Sequence, residues 1–217
     1  MLPRFYPIVD EEVARAHGWT VPALARACLQ GGARLVQVRA KTWSARELLA
    51  VCEQVGADAA SRGATLIVND RADVARLVPG AGVHVGQDDL PPALARRVVG
   101  PDAIVGFSTH APGQVDAAVT EPIGYLAVGP VFGTRTKETG YDAVELDLVQ
   151  YAAHAVAAVA RERHAPALPV VAIGGITLGR ARSVIDAGAT SVAVISDLFT
   201  TGDPAGRVAS FLAELGG

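Results

Sequence analysis

Short runs of apolar residues recur along the chain, and each is followed by a polar turn and a longer segment rich in Ala, Leu and Arg. Short apolar runs bounded by turn residues are typical of strands buried in a parallel sheet. The intervening segments repeat apolar residues at helical spacing, as Leu48, Cys52 and Val55 do. The pattern predicts eight strands, at residues 5–9, 35–38, 65–68, 82–85, 103–107, 125–128, 170–173 and 191–195.

Helix-start signals support this alternation of strands and helices. Thr20 precedes a first turn that contains Pro22, and Ser44 stands three residues before Glu47, which is the spacing of a capping box. Eight βα units in one undivided chain can close as a barrel or remain an open doubly wound sheet. An open sheet binds its ligand at one switch point, whereas polar residues here follow nearly every strand. We therefore predict a single (β/α)8 TIM barrel over residues 1–217.

Composition and charge exclude several classes of protein. The 217 residues are 50% hydrophobic and 19% charged, which predicts an apolar interior and excludes a mostly disordered chain. Nineteen Lys and Arg against 22 Asp and Glu give a net charge of −3, which argues against nucleic acid as a partner. Cys28 and Cys52 lie in predicted helices with no nearby His, so we expect neither a disulfide framework nor a cysteine metal site.

The length of the hydrophobic runs indicates where in the cell the protein is expected. The N-terminus shows no basic region followed by a long apolar stretch, so no signal peptide is predicted. No run approaches the ~20 apolar residues that a membrane-spanning helix needs. We therefore expect a cytoplasmic protein without a membrane partner, and the sequence leaves open a homo-oligomer.

Cationic and hydroxyl side chains follow two of the predicted strands. Arg39 and Lys41 follow the second strand, and Thr134, Thr136 and Lys137 follow the sixth. In a barrel the carboxyl ends of all strands converge on one rim, where barrel enzymes place their sites. Arginine binds phosphate oxygens through a planar fork and lysine binds them as a mobile point charge. Each group alone is ordinary, but their convergence predicts a phosphate-binding rim.

Acidic residues follow the third and fourth strands. Asp70, with Asp88 or Asp89, offers hard oxygen ligands that suit magnesium. The alternative is helix capping, because Asp70 begins the segment 71–77 and Asp89 stands just before Leu90 and a proline. The spacing leaves both interpretations open.

Glycine and histidine residues add weaker signals at the other strand ends. Gly174 and Gly175 precede Thr177 and a predicted helix, so backbone N–H groups can approach an anion there. His110 has a side chain suited to proton transfer, but shaping its loop is the simpler role. His84 lies within the fourth strand, where we expect packing or a hydrogen bond.

Taken together and in order, these motifs resemble the thiamine phosphate synthase family through almost the whole chain. The motifs that carry the resemblance are Gln37-Val-Arg-Ala-Lys41, Ile67-Val-Asn-Asp70, Val83-His-Val-Gly-Gln-Asp-Asp89, Gly106-Phe-Ser-Thr-His110, the loop 129–137, Ala172-Ile-Gly-Gly-Ile-Thr177 and Val194-Ile-Ser196. The resemblance implies a (β/α)8 barrel that joins two small-molecule substrates. These are 4-amino-2-methyl-5-hydroxymethylpyrimidine diphosphate and 4-methyl-5-(2-phosphoethyl)thiazole, or its carboxylate form, and pyrophosphate is released.

The resemblance also implies roles for individual residues. The pyrimidine diphosphate would be held by Gln37, Val38, Arg39, Ala40, Lys41, Asn69 and Ser108. The thiazole phosphate would be bound by Thr134, Arg135, Thr136, Gly175, Ile195 and Ser196. Magnesium, the implied cofactor, would be ligated by Asp70 and Asp89. The implied catalytic residues, which would contact the pyrimidine or stabilise the departing pyrophosphate, are Arg39, Lys41, Ser108 and Lys137.

Two departures from the family pattern affect loop conformation more than reaction type. Gly133 stands where the family commonly has Pro, and Ala40 replaces a frequent Glu.

Two other functions fit parts of the pattern. The first is the related thiazole tautomerase, which needs no magnesium and would depend on His110. The second is a phosphometabolite-binding barrel without catalysis, which would not explain the acidic residues.

Overall fold

Eight parallel strands close into one barrel in chain order, with each strand paired to the next and β8 paired to β1. This architecture is that of a computed structural model in which residues 2–133 and 143–216 are described. The strands are β1 Phe5–Asp10, β2 Leu35–Arg39, β3 Thr65–Asn69, β4 Gly82–Val85, β5 Val105–Thr109, β6 Tyr125–Val128, β7 Val170–Ile173 and β8 Ser191–Val194. The prediction of a (β/α)8 barrel is confirmed.

Helices connect the strands and surround the barrel. Within the described ranges they are α1 Glu11–Ala16, α2 Val21–Gln30, α3 Ala45–Ser61, α4 Ala72–Leu77, α5 Pro92–Val99, α6 Pro112–Ala118, α7 Glu145–Arg163, α8 Leu178–Asp186 and α9 Pro204–Leu215. A 3₁₀ turn, Ser196–Phe199, follows β8. None of the described helices is long and apolar enough to cross a bilayer.

The predicted helix starts are confirmed. The Thr20 hydroxyl accepts from the Ala23 amide at 3.4 Å, with proline in the first turn of α2. Ser44 and Glu47 form the reciprocal capping box at the start of α3. Such caps satisfy backbone donors that the first turn of a helix leaves unpaired.

The apolar residues form two layers. The larger layer lies between the barrel and the helices and contains both cysteines, which are buried and free. Phe5 of β1 stacks there on Phe211 of α9, with ring centroids 4.6 Å apart. The smaller layer fills the barrel interior with the side chains of Tyr6, Ile8, Leu35, Ile67, Tyr125, Ala127, Val171 and Ala193. Alternation along each strand sends successive side chains to these two layers.

The strand boundaries differ from the prediction mainly at β5. That strand runs two residues later than the apolar run 103–107, because its ladder with β4 pairs Val105 with Val83. Ser108 is therefore part of the strand and not of the loop after it. Asp10, Arg39 and Asn69 likewise end β1, β2 and β3, each one residue beyond the predicted boundary.

Candidate active site

A cavity of about 860 Å³, its open mouth included, runs from the barrel interior to the carboxyl ends of the strands. Seven residues predicted to bind substrate line it: Gln37, Arg39, Asn69, Ser108, Gly175, Ile195 and Ser196. Val38 is fully buried in the outer layer and Ala40 packs against that layer, so a substrate contact from either would use its backbone. Thr134, Arg135, Thr136 and Lys137 lie outside the described residues.

Arg39 is held by a carboxylate that the sequence analysis missed. Asp10 ends β1 opposite Arg39 in the β1–β2 ladder, and the Arg39 Nη1 group donates to Asp10 Oδ2. The Asp10 side chain is 3% exposed and that of Arg39 is 13% exposed. Asp10 Oδ1 also accepts from the Val13 amide at 3.1 Å and so caps α1. The available signal was an acidic residue directly after the first apolar run.

Asp70 and Asp89 come together at the mouth of the barrel. Asp70 follows β3 with φ of 62°, a left-handed conformation that Asp tolerates better than most residues. Its carboxyl contacts that of Asp89, and Lys41 Nζ lies 3.9 Å from Asp70 Oδ2. Burial, followed by the contact with Asp89, raises the pKa of Asp70 to about 6, and the charges of Lys41 and Arg39 oppose that rise.

The capping interpretation of these two acids is wrong. Helix α4 begins at Ala72 after Arg71, and α5 begins at Pro92 after Pro91, and neither start has a side-chain cap. Asp89 Oδ2 instead accepts from the amide of Gly86 at 2.8 Å. Both carboxylates thus lie beside each other without serving a helix.

The donor set fits a hard divalent cation that shares its coordination with a substrate. Across the described ranges no three His, Cys, Asp or Glu side chains are grouped around one point, so the protein offers two carboxylates and not a closed cage. Magnesium is typically bound by one or two carboxylates together with substrate phosphates and water. Burial and, after it, the neighbouring Asp89 raise the pKa of Asp70, and a bound cation would relieve the repulsion between the two carboxylates.

Hydrogen-bonded side chains that line the cavity cross the barrel interior. Gln37 Nε2 donates to the Tyr6 hydroxyl at 2.8 Å, and the hydroxyls of Tyr6 and Tyr125 are 3.1 Å apart. His84 Nδ1 lies 2.9 Å from the Tyr125 hydroxyl, and His84 Nε2 lies 2.8 Å from Ser108 Oγ. The expectation of a hydrogen-bonding role for His84 is confirmed. The sequence did not predict this role for the two tyrosines, because an aromatic residue inside an apolar run indicates a packed core residue.

Glycines shape the opposite side of the mouth. Gly174 and Gly175 have φ of 105° and 61° and lead into α8, as predicted. A Cβ on Gly174 would lie 2.6 Å from Pro130 Cα, and one on Gly175 would lie 2.8 Å from the Gly133 carbonyl oxygen. Backbone without side chains therefore lines this part of the cavity, the kind of surface that an anion can approach closely.

The segment after β8 is anchored from outside. Asp197 in the 3₁₀ turn pairs with Arg207 of α9 at 2.7 Å, and both side chains are largely buried. Arg207 also lies over the ring of Phe211. These contacts fix the turn that carries Ser196 into the cavity.

His110 donates through Nδ1 to the Gly129 carbonyl at 2.5 Å, a contact between two strand-end loops that agrees with a loop-shaping role.

The groups that line or border the cavity lie at the carboxyl ends of the barrel strands, where (β/α)8-barrel enzymes bind their substrates. Fold and site together therefore define a barrel enzyme. Residues 5–198 match the family model described as thiamine monophosphate synthase, and the chain belongs to that family.

Individual relatives agree with this membership. The thiamine-phosphate synthase of Koribacter versatilis is 44% identical over 216 residues, which are 99% of this chain and 96% of the relative. That of Acidothermus cellulolyticus is 41% identical, with coverage of 98% and 94%. The solved thiamine phosphate pyrophosphorylase from Pyrococcus furiosus superposes with a TM-score of 0.83 at 26% identity, covering 98% of this chain and 95% of that one.

Proposed function

We propose that this chain is a magnesium-dependent thiamine-phosphate synthase. It joins the pyrimidine diphosphate to the thiazole phosphate and releases pyrophosphate. The observation that carries the proposal is the convergence of Arg39, Lys41 and the Asp70–Asp89 pair on one side of the barrel mouth, opposite the glycine turn at Gly174 and Gly175. Two anion-binding regions facing one cavity suit a reaction between two phosphorylated substrates.

The reaction exchanges one bond for another at the pyrimidine methylene carbon. The C–O bond to the diphosphate breaks, and the pyrophosphate leaves with the electron pair. The thiazole nitrogen supplies its lone pair to form the new C–N bond. The protein's tasks are to hold the two substrates in line and to stabilise negative charge on the leaving group.

Arg39 and Lys41 perform the second task in this proposal. Arg39 donates from Nη1 to Asp10, and this contact fixes the direction of the other N–H donors of the guanidinium. Lys41 is exposed, and the flexible four-carbon stem of a lysine suits it to follow the diphosphate as it leaves. Asp70 and Asp89 would hold magnesium, which would supply further charge stabilisation to the departing oxygens.

The glycine turn and the end of β8 perform the first task. Gly175 and Ser196 line the cavity at the ends of β7 and β8, in accord with binding of the thiazole phosphate there. Ile173 and Ile195 provide apolar surface beside them for the thiazole ring. Thr134, Arg135, Thr136 and Lys137 remain part of the proposal as predicted contacts.

Localisation is proposed with the function. We place the enzyme in the cytoplasm, where small phosphorylated precursors are made, and its partners are these small molecules. Self-association stays a prediction that sedimentation of the purified chain would test.

The decisive experiment measures two products from the purified chain. Both substrates are supplied with and without magnesium, and pyrophosphate and thiamine phosphate are quantified together. Equal amounts of both, formed only with magnesium, are expected. Equal turnover in a chelator would remove the metal from the proposal. A folded protein that binds the thiazole phosphate but forms neither product would overturn the synthase activity and favour a tautomerase or a binding protein.

A further inference from the structure

Five side chains form one continuous hydrogen-bonded path across the barrel. This interior chain consists of Gln37, Tyr6, Tyr125, His84 and Ser108. It begins at one residue that lines the cavity and ends at another, and four different strands besides β2 contribute to it. Ser108 is the member for which the family resemblance implies a contact with the pyrimidine or the departing pyrophosphate, so the inference rests on the proposed function.

Counting protons gives the interior chain a direction. The amide nitrogen of Gln37 can only donate, so the Tyr6 hydroxyl accepts from it. Tyr6 is buried, and a buried O–H needs an acceptor, which the Tyr125 hydroxyl supplies in the described part of the chain, so we take Tyr6 as the donor to Tyr125. The Tyr125 hydroxyl then accepts from Tyr6 and donates to Nδ1 of His84. Burial raises the pKa of both tyrosines, so both phenols keep the proton that this count requires.

The direction fixes the tautomer of His84. With Nδ1 accepting, a neutral imidazole carries its proton on Nε2 and donates it to Ser108 Oγ. The Ser108 hydroxyl has then accepted one hydrogen bond, and its own proton is available to an acceptor in the cavity. If every hydrogen bond of the interior chain had the opposite direction, the Ser108 hydroxyl would donate its proton to His84 Nε2 and could not donate to the substrate.

The fold holds the middle of the interior chain in place. Tyr125 pairs with Gly106 in the β5–β6 ladder, and a Cβ on Gly106 would lie 2.1 Å from Tyr125 Cζ. The phenol ring thus occupies the space that any side chain at that position would take. His84 stacks on the same ring, with centroids 5.6 Å apart and planes at 15°. Neither ring can turn away from the path without displacing the other.

We propose that Tyr6, Tyr125 and His84 are positioning residues that make Ser108 a hydrogen-bond donor to the substrate. The acceptor is an oxygen of the departing diphosphate or a ring nitrogen of the pyrimidine, both of which carry lone pairs. Tyr125 is the link because its hydroxyl contacts both Tyr6 and Nδ1 of His84. Removal of its hydroxyl takes away the donor that makes Nδ1 an acceptor, so the preference for one tautomer should weaken.

The first test reads the tautomer in the free protein and needs no activity. Histidine labelled with ¹⁵N is examined by two-bond ¹H–¹⁵N correlation at pH 8, and the His84 signals are identified by their absence in His84→Gln. We expect protonated Nε2 and unprotonated Nδ1. A proton on Nδ1, alone or together with one on Nε2, would overturn the proposal. In Tyr125→Phe we expect a mixture of tautomers, and an unchanged spectrum would contradict the role of Tyr125.

The second test asks whether Tyr125 acts through Ser108. Turnover is measured for Tyr125→Phe, Ser108→Ala and the double variant at saturating substrates. Loss of an oriented donor to a charged acceptor corresponds to about a tenfold fall in kcat, and we expect Tyr125→Phe to show it with KM little changed. In the Ser108→Ala background the same substitution should have almost no effect, because residues of one network are not additive. If the fall in kcat of the double variant equalled the product of the two single falls, Tyr125 would not act through Ser108 and its role would be purely structural.

Controls separate this proposal from the proposed function and from misfolding. Tyr151→Phe removes a tyrosine hydroxyl that bonds Asp116 at 2.8 Å on the surface, and it should leave tautomer and turnover unchanged. His84→Gln keeps one donor and one acceptor in nearly the imidazole spacing, and it should retain more turnover than His84→Leu. If the chain formed no thiamine phosphate at all, the proposed function would be wrong. The tautomer measurement would still decide the direction of the hydrogen bonds in the interior chain.

Discussion

The carboxylate of Asp10 and the guanidinium of Arg39 form an ion pair at paired positions of neighbouring strands. Asp10 ends β1 and Arg39 ends β2, so the ladder itself brings their side chains to the same height in the barrel. The carboxylate has two tasks, because it also caps α1 through the Val13 amide. Asp10 thus ends β1, caps α1 and orients Arg39, which we propose as a contact of the pyrimidine diphosphate.

We predict that Asp10→Asn weakens both catalysis and folding. Asparagine remains a good N-cap, so the helix start is kept while the charge that orients Arg39 is lost. Steady-state kinetics should show kcat/KM for the pyrimidine diphosphate reduced about tenfold, and urea unfolding should show a loss of about 3 kcal/mol, because removing one partner of a buried ion pair leaves the other charge unpaired. Asp186→Asn is the matched control, because it breaks an exposed pair with Arg182 that is worth less than about 1 kcal/mol. Equal effects of the two variants would contradict the prediction.

Asp70→Asn should stabilise the metal-free protein at neutral pH. Asparagine tolerates the left-handed backbone at this position, and it removes the repulsion with Asp89. Because the folded-state pKa of Asp70 is raised to about 6, its favourable contribution is present below the unfolded value of 3.8 and is lost as the pH rises through 6. The advantage of the variant should therefore grow between pH 4 and pH 6 and then level off.

Thermal unfolding in a chelator measures this effect. A rise in Tm of about 2–4 °C at pH 7.5 corresponds to about 1 kcal/mol in a domain of this size. A lower Tm for the variant at pH 7.5 would show that the carboxylate is stabilising without metal. Added magnesium should then raise the Tm of the parent chain but not that of the variant.

The fold was predictable because the apolar runs that mark the strands are short and well separated. Hydrophobicity could not place the strand ends, since Asp10, Arg39 and Asn69 still pair in the ladder although they are polar. The shift of β5 has the same origin, because the pairing of Val105 with Val83 and not the apolar run sets its start.

The site was predictable only in part. Residues with ionic or amide side chains at strand ends were identified, whereas Tyr6 and Tyr125 were not, because their role depends on which strands face each other across the barrel. Asp10 was missed because its partner lies 29 positions further along the chain. Such relationships are properties of the closed barrel and leave no local pattern.

Asp89→Ala tests the proposed metal site directly. The substitution leaves the start of α5 unchanged, since that helix has no side-chain cap, but removes the acceptor for the Gly86 amide. We expect a fall in turnover of at least about 100-fold at 1 mM magnesium, the order expected for loss of electrostatic stabilisation at a leaving group, with partial recovery at higher magnesium concentration. Turnover equal to that of the parent chain at every magnesium concentration would remove Asp89 from the metal site.

Gly175→Ala tests the glycine turn on the opposite side of the cavity. Alanine at φ of 61° is strained, and its Cβ would lie 2.8 Å from the Gly133 carbonyl oxygen, so the turn must shift. We expect a loss of about 1–2 kcal/mol in stability, within the range that one strained residue costs, and a KM for the thiazole phosphate raised more than that for the pyrimidine diphosphate. Gly179→Ala in α8 is the matched control, because its Cβ meets open space and alanine favours the helix by up to about 1 kcal/mol. If both KM values rose together in Gly175→Ala, the turn would serve the whole cavity and would not be specific to the thiazole phosphate.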